Sequence, residues 1–124
     1  MKINEYFKTA KGRGVLATAD SSGKVDVAVY TVPHVIDEGT VAFIMPDKLT
    51  HVNLQSNPHA AYLFTEEEEK FKGVRLFLTK TKEEKDPQKV DAIRRKEYPH
   101  LKGQEFLVTF KVDKVLPLIG AGAE

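Results

Sequence analysis

Apolar residues recur along this chain in two rhythms. Ile3, Tyr6, Phe7 and Ala10 fall three or four residues apart, which puts them on one face of a short helix running to Lys11, with Asn4 placed to cap its start and Gly12 to end it. From Val15 the apolar positions recur every second residue. Val15 to Ala19 and Val25 to Val32 read as two strands joined by the turn Asp20-Ser21-Ser22-Gly23, and Val25, Val27 and Val29 alternate with Asp26, Ala28 and Tyr30. Pro33 cannot donate to a sheet ladder, so the second strand is expected to bend or to lie on an edge there before Val35 and Ile36 resume it.

The turn Asp37-Glu38-Gly39-Thr40 separates this strand from a third, Val41 to Met45. Pro46 and Asp47 end the extended run, and a short helix is predicted over Thr50 to Ser56, closed by Asn57-Pro58. Ala60 to Phe64 and Val74 to Thr81 give the fourth and fifth strands, divided by a polar loop with four adjacent glutamates. Asp86-Pro87 is an acid-then-proline helix start, and Val90, Ile93 and Tyr98 mark the apolar face of a helix stopped by Pro99. Phe106 to Val112 is the last long strand. Val115 to Ile119 adds a further short one, and the Gly-Ala-rich end reads as a loose tail.

Strand and helix do not alternate throughout, which argues against a doubly wound parallel sheet. The expected class is mainly β: a six-stranded antiparallel barrel with two or three short helices, since barrels dispose of the open edges that many short strands would leave. At 124 residues the chain fits one domain, 1–124, with one core.

Composition narrows the chemistry. Cysteine is absent, which removes disulfides, thiolate catalysis and thiolate metal sites and fits a reducing compartment, so the cytoplasm is the expected location. Neither the apolar core of a signal peptide nor a membrane-length apolar run occurs. The net charge of +1 argues against broad attraction to nucleic acid, although Lys70 to Lys102 carries a basic surplus that reads either as a solvated face or as one facing an anion.

No phosphate-binding P-loop and no dinucleotide fingerprint is present, and the glycines at 12, 14, 120 and 122 sit where turns are expected. His34, His51, His59 and His100 lack the close pairing of a one-helix zinc site, so no metal is expected. The three serines lie in turns or at a helix end without a nucleophile elbow. What remains is the run from Asp47 to Pro58, where Lys48, Thr50 and His51 stand at a helix start. Free N–H groups and the positive dipole end favour an anion such as a phosphate there. The same residues also read as a helix cap with a solvated lysine and histidine.

The chain resembles the pyridoxamine-phosphate-oxidase-like flavoproteins, the FMN-binding split-barrel family, and especially its short, barrel-only members. The resemblance runs from about Gly14 to Val112. It is carried by Gly14-Val15-Leu16-Ala17-Thr18 with the Gly23 turn, the strand through Tyr30, Asn53-Leu54-x-x-Asn57-Pro58 leading into Ala60-Ala61-Tyr62-Leu63-Phe64, and Gly73-Val74-Arg75-Leu76.

The resemblance implies a six-stranded split barrel that binds FMN between the subunits of a homodimer. By position, Ala28, Val29, Tyr30 and Thr31 would lie along the isoalloxazine ring. Lys48, Leu49 and Thr50 would meet the phosphate, Asn53 would brace that loop, and Arg75 is a further basic candidate. Where many members carry a lysine this chain has Thr50, and where they often carry glycine it has Leu78. Lys48 is the cation left to serve in place of the missing one. There is no tryptophan, and the C-terminal signature of true pyridoxamine-phosphate oxidases is absent, so that substrate is not expected. The function implied is a redox flavoprotein acting on a small-molecule substrate or redox partner, with Tyr30 and His34 as the acid or base candidates, Tyr30 also reading as a packing residue. The alternative is a module on the same barrel holding another small anion or a haem through His34 or His51.

Overall fold

The computed structural model describes residues 2–93 and 105–120. In chain order the elements are α1 (Ile3–Thr9), β1 (Gly12–Ala19), β2 (Val25–Tyr30), β3 (His34–Asp37), β4 (Thr40–Pro46), α2 (Leu49–Ser56), β5 (His59–Glu66), β6 (Gly73–Glu84), α3 (Pro87–Ile93) and β7 (Glu105–Pro117). The predicted continuation of the third helix to Tyr98 with its stop at Pro99, together with His100 and the tail beyond Gly120, lies outside the described residues.

The strands form one antiparallel sheet in the order β2-β1-β5-β6-β7-β4-β3. This corrects the expected count of six to seven, and the ladder does not close into a ring. Two local features account for the count. The strand that reaches Pro33 does not resume in its own ladder; the chain crosses over, and His34–Asp37 pairs with β4 at the opposite edge of the sheet. Conversely, Val115 and Leu116 do not form a separate strand but extend β7, which keeps pairing with β6 past an irregularity between Phe77 and Leu78.

The sheet is strongly curled. Seven strands laid flat would put their outer edges about 29 Å apart at roughly 4.8 Å per step. Yet β2 and β3 are joined only by Thr31, Val32 and Pro33, a link that reaches at most about 14 Å between Tyr30 and His34. The edges must therefore approach, and side chains meet across the curl: the Phe43 ring of β4 lies 5.1 Å from that of Tyr62 on β5 and 5.7 Å from that of Tyr30 on β2.

Alternation fills the interior. Leu16, Tyr62, Phe64, Val74, Leu76, Val41, Phe43, Met45, Val108 and Phe110 are buried, and α1 adds Ile3 and Phe7, one helical turn apart. Each such large apolar side chain taken from water is worth about 1.5–3 kcal/mol. The α1 start is not capped by Asn4: no side chain caps it locally, and the Asn4 N–H donates instead to Glu38 Oε1 from the β3–β4 turn at 2.9 Å. The helix ends at Thr9, so Gly12 opens β1 rather than stopping α1. At α3 the expected start is met, since Asp86 Oδ1 accepts from the Gln88 N–H at 3.0 Å and Pro87 follows it.

The two halves of the outer face differ. Over β4 and β7, α3 lays Val90 on Ala42 and Leu107 to make a second small core. On the other half, Val25, Val27 and Val29 of β2 are 81, 67 and 79% exposed, so the more apolar side of that strand faces out. No helix among the described residues is long and apolar enough to cross a membrane.

Candidate functional site

The site sits where α2 meets β1 and β2. Pro46 and the turn at Asp47 and Lys48 break β4, and α2 follows with Lys48 in the N-cap position, in an extended conformation and making no side-chain cap. The first intrahelical bond is that of the Val52 N–H to the Lys48 carbonyl at 3.0 Å, which leaves the amides of Leu49, Thr50 and His51 without an acceptor inside the helix. Lys48 and Leu49 are exposed beside them.

Thr50 and Asn53 face inward and are buried. Asn53 Nδ2 donates to Thr18 Oγ1 of β1 at 3.1 Å, and α2 packs on β2. Tyr30 is held above the ordinary phenol range by burial, opposed by the neighbouring Thr50 hydroxyl, with the Asp26 charge adding to the rise. This packing brings together the two segments that the resemblance assigns to ring and phosphate. The Thr50 side chain is buried, so an anion at this turn would meet its backbone N–H and Lys48. Asn53 occupies a bracing position.

Ala28 and Tyr30 point toward the interior and are half-buried, while Val29 and Thr31 are exposed. Among the described residues β2 is an edge strand that pairs only with β1, along the segment assigned to the ring. Arg75 lies elsewhere: its Nε donates to the Pro117 carbonyl at 3.0 Å and its Nη2 to the Gly120 carbonyl at 2.8 Å, tying down the end of β7. His34 stands half-buried on the opposite edge strand, β3.

His51 is the residue whose surroundings were least expected. Its ring is buried and stacked on Phe106 at 3.9 Å. Nδ1 lies 2.9 Å from Asp47 Oδ1 and Nε2 lies 2.9 Å from Glu83 Oε2. With both nitrogens engaged by carboxylates, His51 has none to offer a haem iron. Glu83 Oε1 also accepts from Gln55 Nε2 at 2.8 Å and from Lys80 Nζ at 2.7 Å. Burial pushes the Glu83 carboxyl up, but the bonds from Gln55, Lys80 and His51 outweigh it and bring the group from 4.5 to about 2. The spacing Asp47, His51, Gln55 places three polar groups on one helical face and was available in the sequence. Glu83 was not, because only the pairing of β5 with β6 brings it alongside. Among the described residues no group of three or more His, Asp or Glu is arranged to hold a metal ion.

No known family's sequence profile matches the chain, and no curated protein matches it in sequence. Solved structures do match in fold. An FMN-binding protein from Syntrophomonas wolfei superposes with a TM-score of 0.79 at 20% identity, over 98% of this chain and 86% of that one. An F420 reductase gives 0.73 at 16% identity, over 90% and 94% of the two chains. A candidate pyridoxamine 5'-phosphate oxidase from Lactobacillus delbrueckii gives 0.69 at 20% identity, over 93% and 89%. At these identities the likeness establishes the fold, a mainly antiparallel β architecture as the sequence resemblance implies, with seven strands in place of six.

Proposed function

We propose that this chain is an FMN-binding redox protein of the cytoplasm that acts as a homodimer, with the flavin phosphate at the start of α2 and the ring along β2. The observation that carries this reading is the uncapped start of α2 held against the sheet, with Asn53 bonded to Thr18 of β1 and the helix packed on the edge strand β2. A helix start able to hold an anion, beside an edge strand, suits the phosphate and the ring of a flavin. That two of the solved structures sharing the fold are an FMN-binding protein and an F420 reductase supports a flavin or deazaflavin.

FMN would supply electron or hydride transfer. The chain supplies binding and orientation. Lys48 and the amides of Leu49 and Thr50 receive the phosphate, Asn53 holds that turn to β1 through Thr18, and the backbone of Ala28 to Thr31 offers hydrogen bonds to the ring edge. The Val25, Val27 and Val29 stripe continues across the sheet through Val15, Ala17, Ala61 and Leu63, which share its outer face by register. A second copy laid on this face would cover an apolar surface that monomers rarely leave open. It would also wall the ring that one small sheet cannot enclose.

The experiment is a fluorescence titration of the purified protein with FMN, followed by sedimentation. Quenching of flavin fluorescence with one FMN per chain and sedimentation as a dimer are expected. A protein that neither carries nor takes up FMN overturns the cofactor, and a micromolar monomer with FMN bound overturns the dimer.

A further inference from the structure

We propose that His51 is the positioning residue of the phosphate-binding turn, and that its proton makes anion affinity at Lys48–Thr50 fall as pH rises; this rests on the FMN reading above. Asp47 is the residue immediately before Lys48, and His51 is the point through which it is tied to β6. A neutral imidazole donates from one nitrogen only, and the other turns a lone pair toward an acceptor. With carboxylate oxygens 2.9 Å from both Nδ1 and Nε2, only the imidazolium satisfies both contacts.

The groups around the ring set the consequence of proton loss. The turn before α2 contributes Asp47, α2 itself Gln55, and β6 Glu83 with Lys80 bonded to it. From β7, Phe106 stacks on the ring, with Lys85 over the Phe106 face at 5.5 Å and the buried Glu105 preceding it in the chain. Asp47, Glu83, Lys80 and the His51 imidazolium balance to zero charge. Without the proton this group carries one net negative charge behind the turn. The remaining N–H keeps Glu83, the less exposed acceptor, whereas Asp47, whose side chain is 66% exposed, exchanges His51 for water. The turn is then both looser and more negative, and each change disfavours a phosphate while leaving ring contacts on β2 in place.

The test compares FMN and riboflavin titrations of wild type and His51→Gln from pH 6 to 8.5 at constant ionic strength. Ionisation of the FMN phosphate is common to both proteins and cancels in the comparison. In wild type the preference for FMN over riboflavin should fall about three- to tenfold relative to the variant, as expected for one added charge at partly screened range. Identical profiles for the two proteins overturn the proposal. A second readout uses flavin-free wild type: 15N shifts of the His51 ring followed against pH, with the amide shifts of Lys48, Leu49 and Thr50. The amides should move with the ring transition. If the ring titrates and those amides do not follow, or if the ring does not titrate in this range, the positioning role is wrong even where His51→Gln does not fold. Failure of both flavins to bind at any pH overturns the FMN reading instead, and the ring and amide shifts still decide the role of His51.

Discussion

The Tyr62 hydroxyl fills the space that a β-carbon at Gly14 would need. Tyr62 is fully buried on β5, and its hydroxyl donates to the Thr31 carbonyl at 2.8 Å, so the bond that pins the β2–β3 link passes over the bare backbone of β1. Gly14 is thus required for space rather than for an unusual backbone angle. Gly14→Ala should destabilise by about 1–3 kcal/mol through overpacking, and Tyr62→Phe by about 1 kcal/mol through the lost bond. The double variant should cost at least about 0.5 kcal/mol less than the sum. Urea unfolding of the four proteins measures this; strict additivity would mean that the two residues do not compete for space.

Lys48→Ala should weaken FMN by about tenfold, since a bond to a charged group is worth about 1.5–3 kcal/mol and this one is exposed. Riboflavin should bind both proteins alike. Titrations at one fixed ionic strength read the difference. Equal loss of both flavins would make Lys48 a support of the loop instead of a phosphate contact.

Val27→Lys places a charge in the middle of the exposed valine stripe. It should leave the far-ultraviolet circular dichroism spectrum unchanged, because the side chain is already mostly in water, while shifting the dimer toward monomer and lowering FMN affinity with it. Analytical ultracentrifugation across a concentration series is the measurement. An unchanged association constant would move the interface to another face.

The lowered Glu83 carboxyl gives a signed pH dependence. Its native value of about 2 lies below the ordinary 4.5, so its contribution to stability is complete above about pH 4.5 and is lost as pH falls toward 2. Glu83→Gln should therefore be destabilised relative to wild type at pH 6, with the gap narrowing between pH 4.5 and 2. Thermal melts across that interval check both the sign and the window.

The sequence showed the elements more clearly than their neighbours. Period-two spacing located β1, β4 and β5, and Asp86-Pro87 marked the α3 start, because these signals are local. The alternation on β2 was equally plain, but its orientation was not. A stripe of three valines ordinarily turns inward; here Asp26, Ala28 and Tyr30 face the interior because Tyr30 packs on Phe43 and the core there. Pro33 announced a break, yet whether the chain would rejoin its ladder or cross to the far edge depends on the curl of the whole sheet. The helix start at Lys48 was visible as a candidate anion site. The Glu83 side of the His51 clamp was not, since Glu83 lies 32 residues away from His51 in sequence and arrives through the β5–β6 hairpin.

The three residues between β2 and β3 act as a spacer whose unit is the amino acid. Among the described residues no ladder joins the two edges, so the gap between them is gauged by how far Thr31, Val32 and Pro33 can stretch. Such a gauge responds unequally in its two directions. Removing one residue draws the edges together by about 3.5 Å and meets stiff backbone geometry at once. Adding residues meets only chain entropy, about 0.6 kcal/mol for each doubling of the link. Change in this lineage should therefore find it easy to widen the gap and difficult to narrow it.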